Sequence, residues 1–340
     1  MTEPPSPLRM LLSRHTRRRD FITLLGGAAA WPLAARAQTY PSRPITLIVP
    51  LPPGVGTDAI ARTIAEHMKG SLGQPIVVEN STGAGGTVAT ARAMRATPDG
   101  YTLSIGNLGT HVVSPATYPN IQYHPLNDFE PVAMLATTAY WLVARKDLPP
   151  KDVKELIAWL KANPDKVSAA MVGSGGIDQV VGTFFQQKTG TRFQFIPYRG
   201  GPPILQDLIA GHIDMYLGAA TATFGQVRSG QLKAYAVFAS SRWFAAPDVP
   251  STAEVGLSDL TIPFWMGMWA PKGTPKDVIG KINAAVVAAL TDDAVRQRLR
   301  DQGVEPPSPE QQTPEAFAIF HKAEVEKWWP FIKSASIRAQ

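Results

Sequence analysis

The segment ITLIVPLPPGVGTDAIAR, Ile45 to Arg62, runs from an apolar β-branched stretch through prolines into Gly54-Val55-Gly56-Thr57-Asp58-Ala59 and on into helix-like sequence. The same order returns in the other half of the chain at MVGSGGIDQVVGTFF, where Gly173–Gly176 lies between an apolar run and a helical one. A strand that feeds a helix through a glycine turn opens a βα unit, and chains built from such units fold as parallel sheets covered by helices. Further strand-like runs at Ile76–Val78, Thr102–Ile105, Tyr140–Ala144, Val167–Met171, Phe193–Ile196, Met215–Leu217, Ala234–Phe238 and Phe264–Trp269 alternate with helical sequence. In KDVKELIAWLKANP, Val153, Leu156, Ile157 and Leu160 recur at helical spacing and Pro164 marks the stop. Thr274-Pro275 and Thr313-Pro314 each set an N-cap residue before a proline suited to the first helical position.

These runs are too many for one compact domain, yet no Gly/Ser linker, charge block or internal repeat divides the chain. The expected fold class is α/β with two lobes, each a mainly parallel sheet flanked by helices, and a chain that crosses between lobes twice. The apolar strands around Tyr140–Ala144 and Phe264–Trp269 are the candidate crossover strands. Domain I then comprises 38–139 and 266–340, domain II 140–265, and one cleft lies between them.

The formal charge of +6 is mostly local. Arg9, Arg14, Arg17, Arg18, Arg19 and Arg36 face only Glu3 and Asp20 within residues 1–37, so the remainder is nearly neutral and gives no case for a nucleic-acid partner. In TRRRDFITLLGGAAAWPLAARAQ a basic segment precedes a short apolar run and the Ala35-Arg36-Ala37 cleavage signal. Arg18-Arg19-Asp20-Phe21-Ile22 resembles a twin-arginine export address. About ten apolar residues cannot span a bilayer core that needs about 20. The expected leader is therefore a signal peptide at 1–37, cleaved near Ala37-Gln38, with the mature chain in the periplasm. Zero cysteines is compatible with a large exported domain that needs no disulfides.

Two chemistries fit the turn at Gly54. Gly54, Gly56 and Ala59 satisfy a G-x-G-x-x-A spacing and Glu79 ends the following strand, as a ribose-binding acid would in an NAD(P)-dependent oxidoreductase. Against this, Pro50, Pro52 and Pro53 stiffen the approach, and the second strand runs into another glycine turn, NSTGAGGTVATA, which a dinucleotide site does not need. The alternative is a smaller anion. A helix N-terminus exposes unpaired N–H groups and a positive dipole end, so it holds a carboxylate as readily as a phosphate. Two such turns, one per lobe, would grip a carboxylate from both sides.

Other residues are weaker candidates. Asn107, Thr110 and His111 follow a strand end and could line the cleft; Tyr198 and Arg199 in PYRGG could meet a ligand carboxylate. Trp141, Trp265 and Trp269 suit core packing, and Trp328 and Trp329 suit the core or lid of a C-terminal helix. Ser174 fails G-x-S-x-G because residue 172 is valine. No zinc-protease motif, P-loop lysine or histidine pair at metal spacing occurs, so neither catalysis, a cofactor nor a metal is expected.

In order along the chain, YPSRPITLIVPLPPGVGTDAIAR, LGQPIVVENSTGAGG, TPDGYTL, GTHVVSPATY, NDFEPVAML, IPYRGG, LIAGHIDM, VRSGQLKAYAV, APDVPSTAEVGL and WAPKGTP resemble the successive motifs of the Bug family, substrate-binding proteins of tripartite tricarboxylate transporters. The resemblance covers Tyr40 to the C-terminus. It implies a flytrap-like periplasmic binding protein, monomeric, that closes on a small organic carboxylate and delivers it to the transporter's membrane components. A sensing protein that acts on a receptor is the other carrier-like reading. The first loop maps onto Leu51, Pro53, Gly54, Val55, Gly56, Thr57 and Asp58, with Val55 in place of a usual glycine. The second maps onto Gly173, Ser174, Gly175 and Gly176. After DM, where the family often carries an acidic or amide residue, this chain has Gly218, Ala219 and Ala220. That departure argues against an amino-acid ligand, whose ammonium would want a carboxylate.

Overall fold

The computed structural model describes residues 40–54 and 56–339; the leader with its cleavage site, and Val55, lie outside the described residues. Along the chain run β1 (Ile45–Val49), α1 (Gly56–Leu72), β2 (Ile76–Asn80), α2 (Thr87–Met94), β3 (Thr102–Asn107), α3 (Ser114–Thr117) and β4 (Phe129–Thr138). There follow β5 (Tyr140–Arg145), α4 (Val153–Ala162), β6 (Ser168–Val172), α5 (Ile177–Thr189), β7 (Gln194–Tyr198), α6 (Gly201–Ala210), β8 (Met215–Ala219), α7 (Phe224–Arg228) and β9 (Leu232–Val237). The chain finishes with β10 (Phe264–Pro271), α8 (Lys276–Thr291), α9 (Asp293–Asp301) and α10 (Pro314–Ser334). No described helix is long and apolar enough to cross a membrane.

The strands form two five-stranded sheets, in the orders β2-β1-β3-β10-β4 and β7-β6-β8-β5-β9. The result is a two-lobe α/β fold. In the first sheet β10 alone runs against its neighbours, and in the second β5 does. These are the strands that receive the chain after each crossing, which explains their direction. β4 ends at Thr138 and, one residue later, β5 begins at Tyr140 opposite Ala219, the last residue of β8. A chain that leaves one sheet at its carboxyl edge enters the next from the same gap and must run antiparallel there. β10 does likewise, starting with Phe264 opposite Thr138. The carboxyl ends of β1, β2, β3 and β4 therefore face those of β6, β7, β8 and β9, and open α/β sheets bind ligands at that end.

The strand β4 is absent from the runs read in the sequence, and it carries Pro131. The structure shows why proline is tolerated: β4 is an edge strand of its sheet, where a missing N–H breaks no ladder. Thr313 caps α10 as expected, its side chain accepting from Ala316 N–H. Thr274 does not cap α8. Its hydroxyl donates to the Pro271 carbonyl at 2.7 Å and Pro275 occupies the N-cap. In α4 the cap is Asp152, which accepts from Glu155 N–H.

Trp141, Trp265, Trp269 and Trp328 are fully buried, in line with the core role read from the sequence. Trp265 and Trp328 donate their indole N–H groups to the buried Glu324 carboxylate at 3.2 and 3.4 Å, which fixes α10 against the first sheet. Burying each aromatic side chain contributes about 2–3 kcal/mol.

Candidate functional site

The turn after β1 is held by one carboxylate. Asp58, buried in the first turn of α1, accepts from Gly54 N–H at 2.9 Å, Asn80 Nδ2 at 2.8 Å and Arg62 Nε at 3.0 Å. Asn80 also donates to the Leu51 carbonyl at 3.0 Å and accepts from Arg62, so Leu51 and Gly54 are tied to the end of β2. Gly54 has φ +82, a conformation that suits glycine. Burial pushes the Asp58 carboxyl up, but the Arg62 guanidinium, the Gly54 N–H and the Asn80 amide outweigh it and hold it below its ordinary value. The Gly54 N–H is thus consumed inside the turn. What remains for an anion is the start of α1, where the first N–H groups have no acceptor within the helix.

The turn after β6 repeats this plan. Asp178, in the first turn of α5, accepts from Val172 N–H at 3.0 Å and from the Tyr140 hydroxyl at 2.5 Å. Gly173 N–H donates to the Tyr198 carbonyl at 3.0 Å and Gly175 N–H to Gln179 Oε1 at 2.7 Å. Again the glycine amides brace the turn and the N-terminus of α5 is the free donor end. Desolvation pushes the Asp178 carboxyl up to about 6, against the opposing pull of Tyr140, Val172 N–H and Tyr216. Burial raises both tyrosines well above their usual range.

The lobes meet at these turns. A Cβ placed on Gly56 would lie 3.5 Å from Thr221 Oγ1, just beyond β8, and one on Gly109 would lie 3.6 Å from Ile177 Cγ2, at the start of α5. Beside Gly54 and Gly173 a Cβ would meet open space. A methyl group at position 56 would therefore just touch the opposite lobe, and a longer side chain would press on it. Gly56→Leu is expected to cut ligand affinity at least about tenfold, or about 1.4 kcal/mol, with little change in melting temperature because the position is exposed. Calorimetric titration beside a thermal melt checks this.

The other candidates divide. Asn107 and Thr110 are buried and spend their polar groups on the loop itself: Asn107 Oδ1 accepts from Gly109 N–H and Thr110 N–H, and Thr110 Oγ1 accepts from Asn107 N–H. They shape the segment that touches Ile177. His111 lies in the core and not at the cleft wall, with no exposed surface and its ring stacked on Trp269 at 3.8 Å. Tyr198 donates its hydroxyl to Asp207 at 2.6 Å, while Arg199 is exposed at the end of β7, next to the Gly173 turn. Ala220 is buried and its N–H donates to the Ala139 carbonyl at 2.8 Å, which pins the end of β8 to the crossing; Ala219 is half-buried beside it. Gly218 is small because Tyr216 lies over it, a Cβ falling 2.1 Å from the ring.

Asp178, Asn80 and Thr221 were not anticipated. Asp178 has a readable signal, an acid two residues past a glycine turn as in Gly56-Thr57-Asp58. Asn80 and Thr221 act across long sequence separations and have none. A hollow of about 450 Å³ lies beside Val88, Tyr118 and Ala339 and one of about 560 Å³ around Trp329 and Ile337, and neither is lined by residues of the two turns. The turn pair is singled out by its place at the facing carboxyl ends of β1 and β6, and not by volume.

Residues 60–337 match the tripartite tricarboxylate transporter family receptor, and the chain belongs to that family. It is 36% identical over 309 residues to BugT of Bordetella pertussis, covering 91% of this chain and 93% of that one. The structure of MatC from Rhodopseudomonas palustris with bound malate is similar at TM-score 0.79 and 38% identity, over 86% of this chain and 100% of that one. Another R. palustris protein, solved with adipate, is similar at TM-score 0.80 and 30% identity, over 88% and 99%. The protein is a solute-binding receptor of the periplasmic Bug type and not an enzyme. The dinucleotide reading is not favoured. Glu79, its ribose-binding acid, is paired with Arg92 on the first lobe.

Proposed function

We propose that this receptor captures a small organic carboxylate lacking an ammonium group, clasped between the N-termini of α1 and α5, and releases it to the membrane components of a tripartite tricarboxylate transporter. The observation that carries the reading is the paired construction of the two turns. Each follows a strand's carboxyl end and is braced by an aspartate in the first turn of the next helix, Asp58 holding Gly54 N–H and Asp178 holding Val172 N–H, while the first N–H groups of that helix have no acceptor within it. Malate in MatC and adipate in the second R. palustris protein support a carboxylate ligand. Asp58 and Asp178 are both taken up by their own donors, so neither offers an ammonium group a partner.

Capture proceeds by hinge closure, with 38–139 and 266–340 as one lobe and 140–265 as the other. The hinge lies at the two chain crossings, at Ala139 between β4 and β5 and just before Phe264, where β10 begins opposite Thr138. Carriage by backbone dipoles and bridging water suits a carrier, since water-bridged contacts hold nearly as well as direct ones and tolerate varied ligand shapes. The chain reaches the periplasm through its twin-arginine leader and acts as a monomer. A thermal-shift screen of malate, succinate, adipate, benzoate, glutamate and aspartate tests the ligand class. An acid at 100 times its dissociation constant should add about 2.7 kcal/mol of stability. Stabilisation by glutamate or aspartate alone, or by none of the six, would contradict it.

A further inference from the structure

The last helix hands the chain to a short ordered tail. Ser336 has φ +53; its N–H donates to the Lys333 carbonyl and Ile337 N–H donates to the Ile332 carbonyl, both at 3.2 Å. These two bonds form a Schellman turn, in which the left-handed position is usually glycine. A serine held there is strained, and such a conformation persists where its surroundings fix it. The buried Ile337 anchors the turn, and the tail then reaches Ala339, whose N–H donates to the Thr117 carbonyl of α3 at 3.0 Å. On its other side Ala339 meets the ligand turn of the second lobe: a Cβ on Gly175, at φ +73, would fall 2.5 Å from Ala339 N and 2.6 Å from its Cα. The same helix already bridges the lobes, since Phe184 of α5 packs edge-on against Trp328 and Phe331 at 5.4 and 5.1 Å.

We propose that residues 336–339 are a strap that ties the Gly173–Gly176 turn to the first lobe, so that opening the cleft and releasing ligand require the strap to lift. The proposal rests on the cleft between the turns being the ligand site. Glycine at 175 is then explained by the strap, because any side chain there would displace it. The hollow of about 450 Å³ that Ala339 borders, with Val88 and Tyr118, gives the tail room to withdraw without disturbing the core.

The test is deletion of residues 338–340, read first by amide hydrogen exchange on the unliganded protein. Exchange at residues 173–179 should quicken about tenfold or more while Ala169 and Ala170 of β6 keep their wild-type rates; unchanged exchange in the turn overturns the strap. With L-malate and adipate as probes, dissociation from the deletion variant should be about tenfold faster and association little changed. Gly175→Ala provides an independent check. It should lower the melting temperature more in the full chain than in the deletion variant, since only the full chain retains the clash, and equal losses in the two backgrounds would count against the contact. Exchange that responds to the deletion, in a protein that none of the six screened acids stabilises, upholds the strap and sinks the reading of the cleft.

Discussion

Asp58→Ala should weaken carboxylate binding at least about 100-fold, or about 2.7 kcal/mol, and lower stability by about 3 kcal/mol. The carboxylate is the common acceptor for Gly54 N–H, Asn80 and Arg62, and Asn80 in turn holds the Leu51 carbonyl. Without it the half-buried Asn80 amide loses one of its two acceptors, Gly54 loses the bond that keeps its backbone at φ +82, and the start of α1 no longer has a fixed direction. Arg62→Ala is the control. Its side chain is half exposed, so losing that ion pair should cost only about 0.5–1 kcal/mol and leave binding nearly intact. Urea denaturation and calorimetric titration of both variants separate the two roles. Equal losses in both would mean that the ion pair, and not the turn, matters.

The second large effect is on pH dependence. His321 is buried in the first lobe against Trp265, Trp269 and His111, and its Nε2 bonds the His111 carbonyl at 3.0 Å. Desolvation holds it down to about 4, from 6.5, and the same cause holds the fully buried His111 well below its ordinary value. Between 6.5 and 4 the native state therefore binds fewer protons than the unfolded chain, and stability falls as pH falls through that window, by about 3 kcal/mol for His321.

Asp178 acts with the opposite sign. Its folded value of about 6 lies above its unfolded 3.8, so between them the native state binds more protons and stability rises as pH falls, by up to about 3 kcal/mol. The two contributions nearly cancel, and His111 decides the residue. Asp178→Asn removes the compensating one. Its stability should drop about 2–3 kcal/mol further than wild type between pH 6.5 and 4, measured by urea denaturation across that range. Parallel curves for the two proteins would show that Asp178 is not the opposing group.

The architecture was legible because its signals are local. Apolar runs ending in glycine turns marked the strands that carry the site, and Thr313-Pro314 marked the start of the last helix. A proline argues against a central strand, and whether Pro131 sits at an edge depends on sheet order, which one chain segment cannot reveal. At the site, the helix N-termini were visible but their bracing was not. The bonds from Asn80 to Leu51 and from Tyr140 to Asp178 join residues 29 and 38 apart, and no spacing rule reaches that far. The setting of His111 is out of reach for the same reason: its place on a strand-end loop is a sequence property, while its stacking on Trp269 depends on β10 lying beside β3. The small residues around the end of β8 have packing reasons that the sequence does not show: Gly218 admits Tyr216, and Ala220 serves the crossing at Ala139.

The most direct measurement is a crystal structure of the protein grown with L-malate or adipate. One carboxylate should lie within hydrogen-bonding distance, directly or through one water, of N–H groups from both ends of the gap, at residues 56–58 and at 174–178. A carboxylate held by one lobe alone, or seated in the hollow beside Val88 and Tyr118, would contradict the two-sided grip on which the account depends.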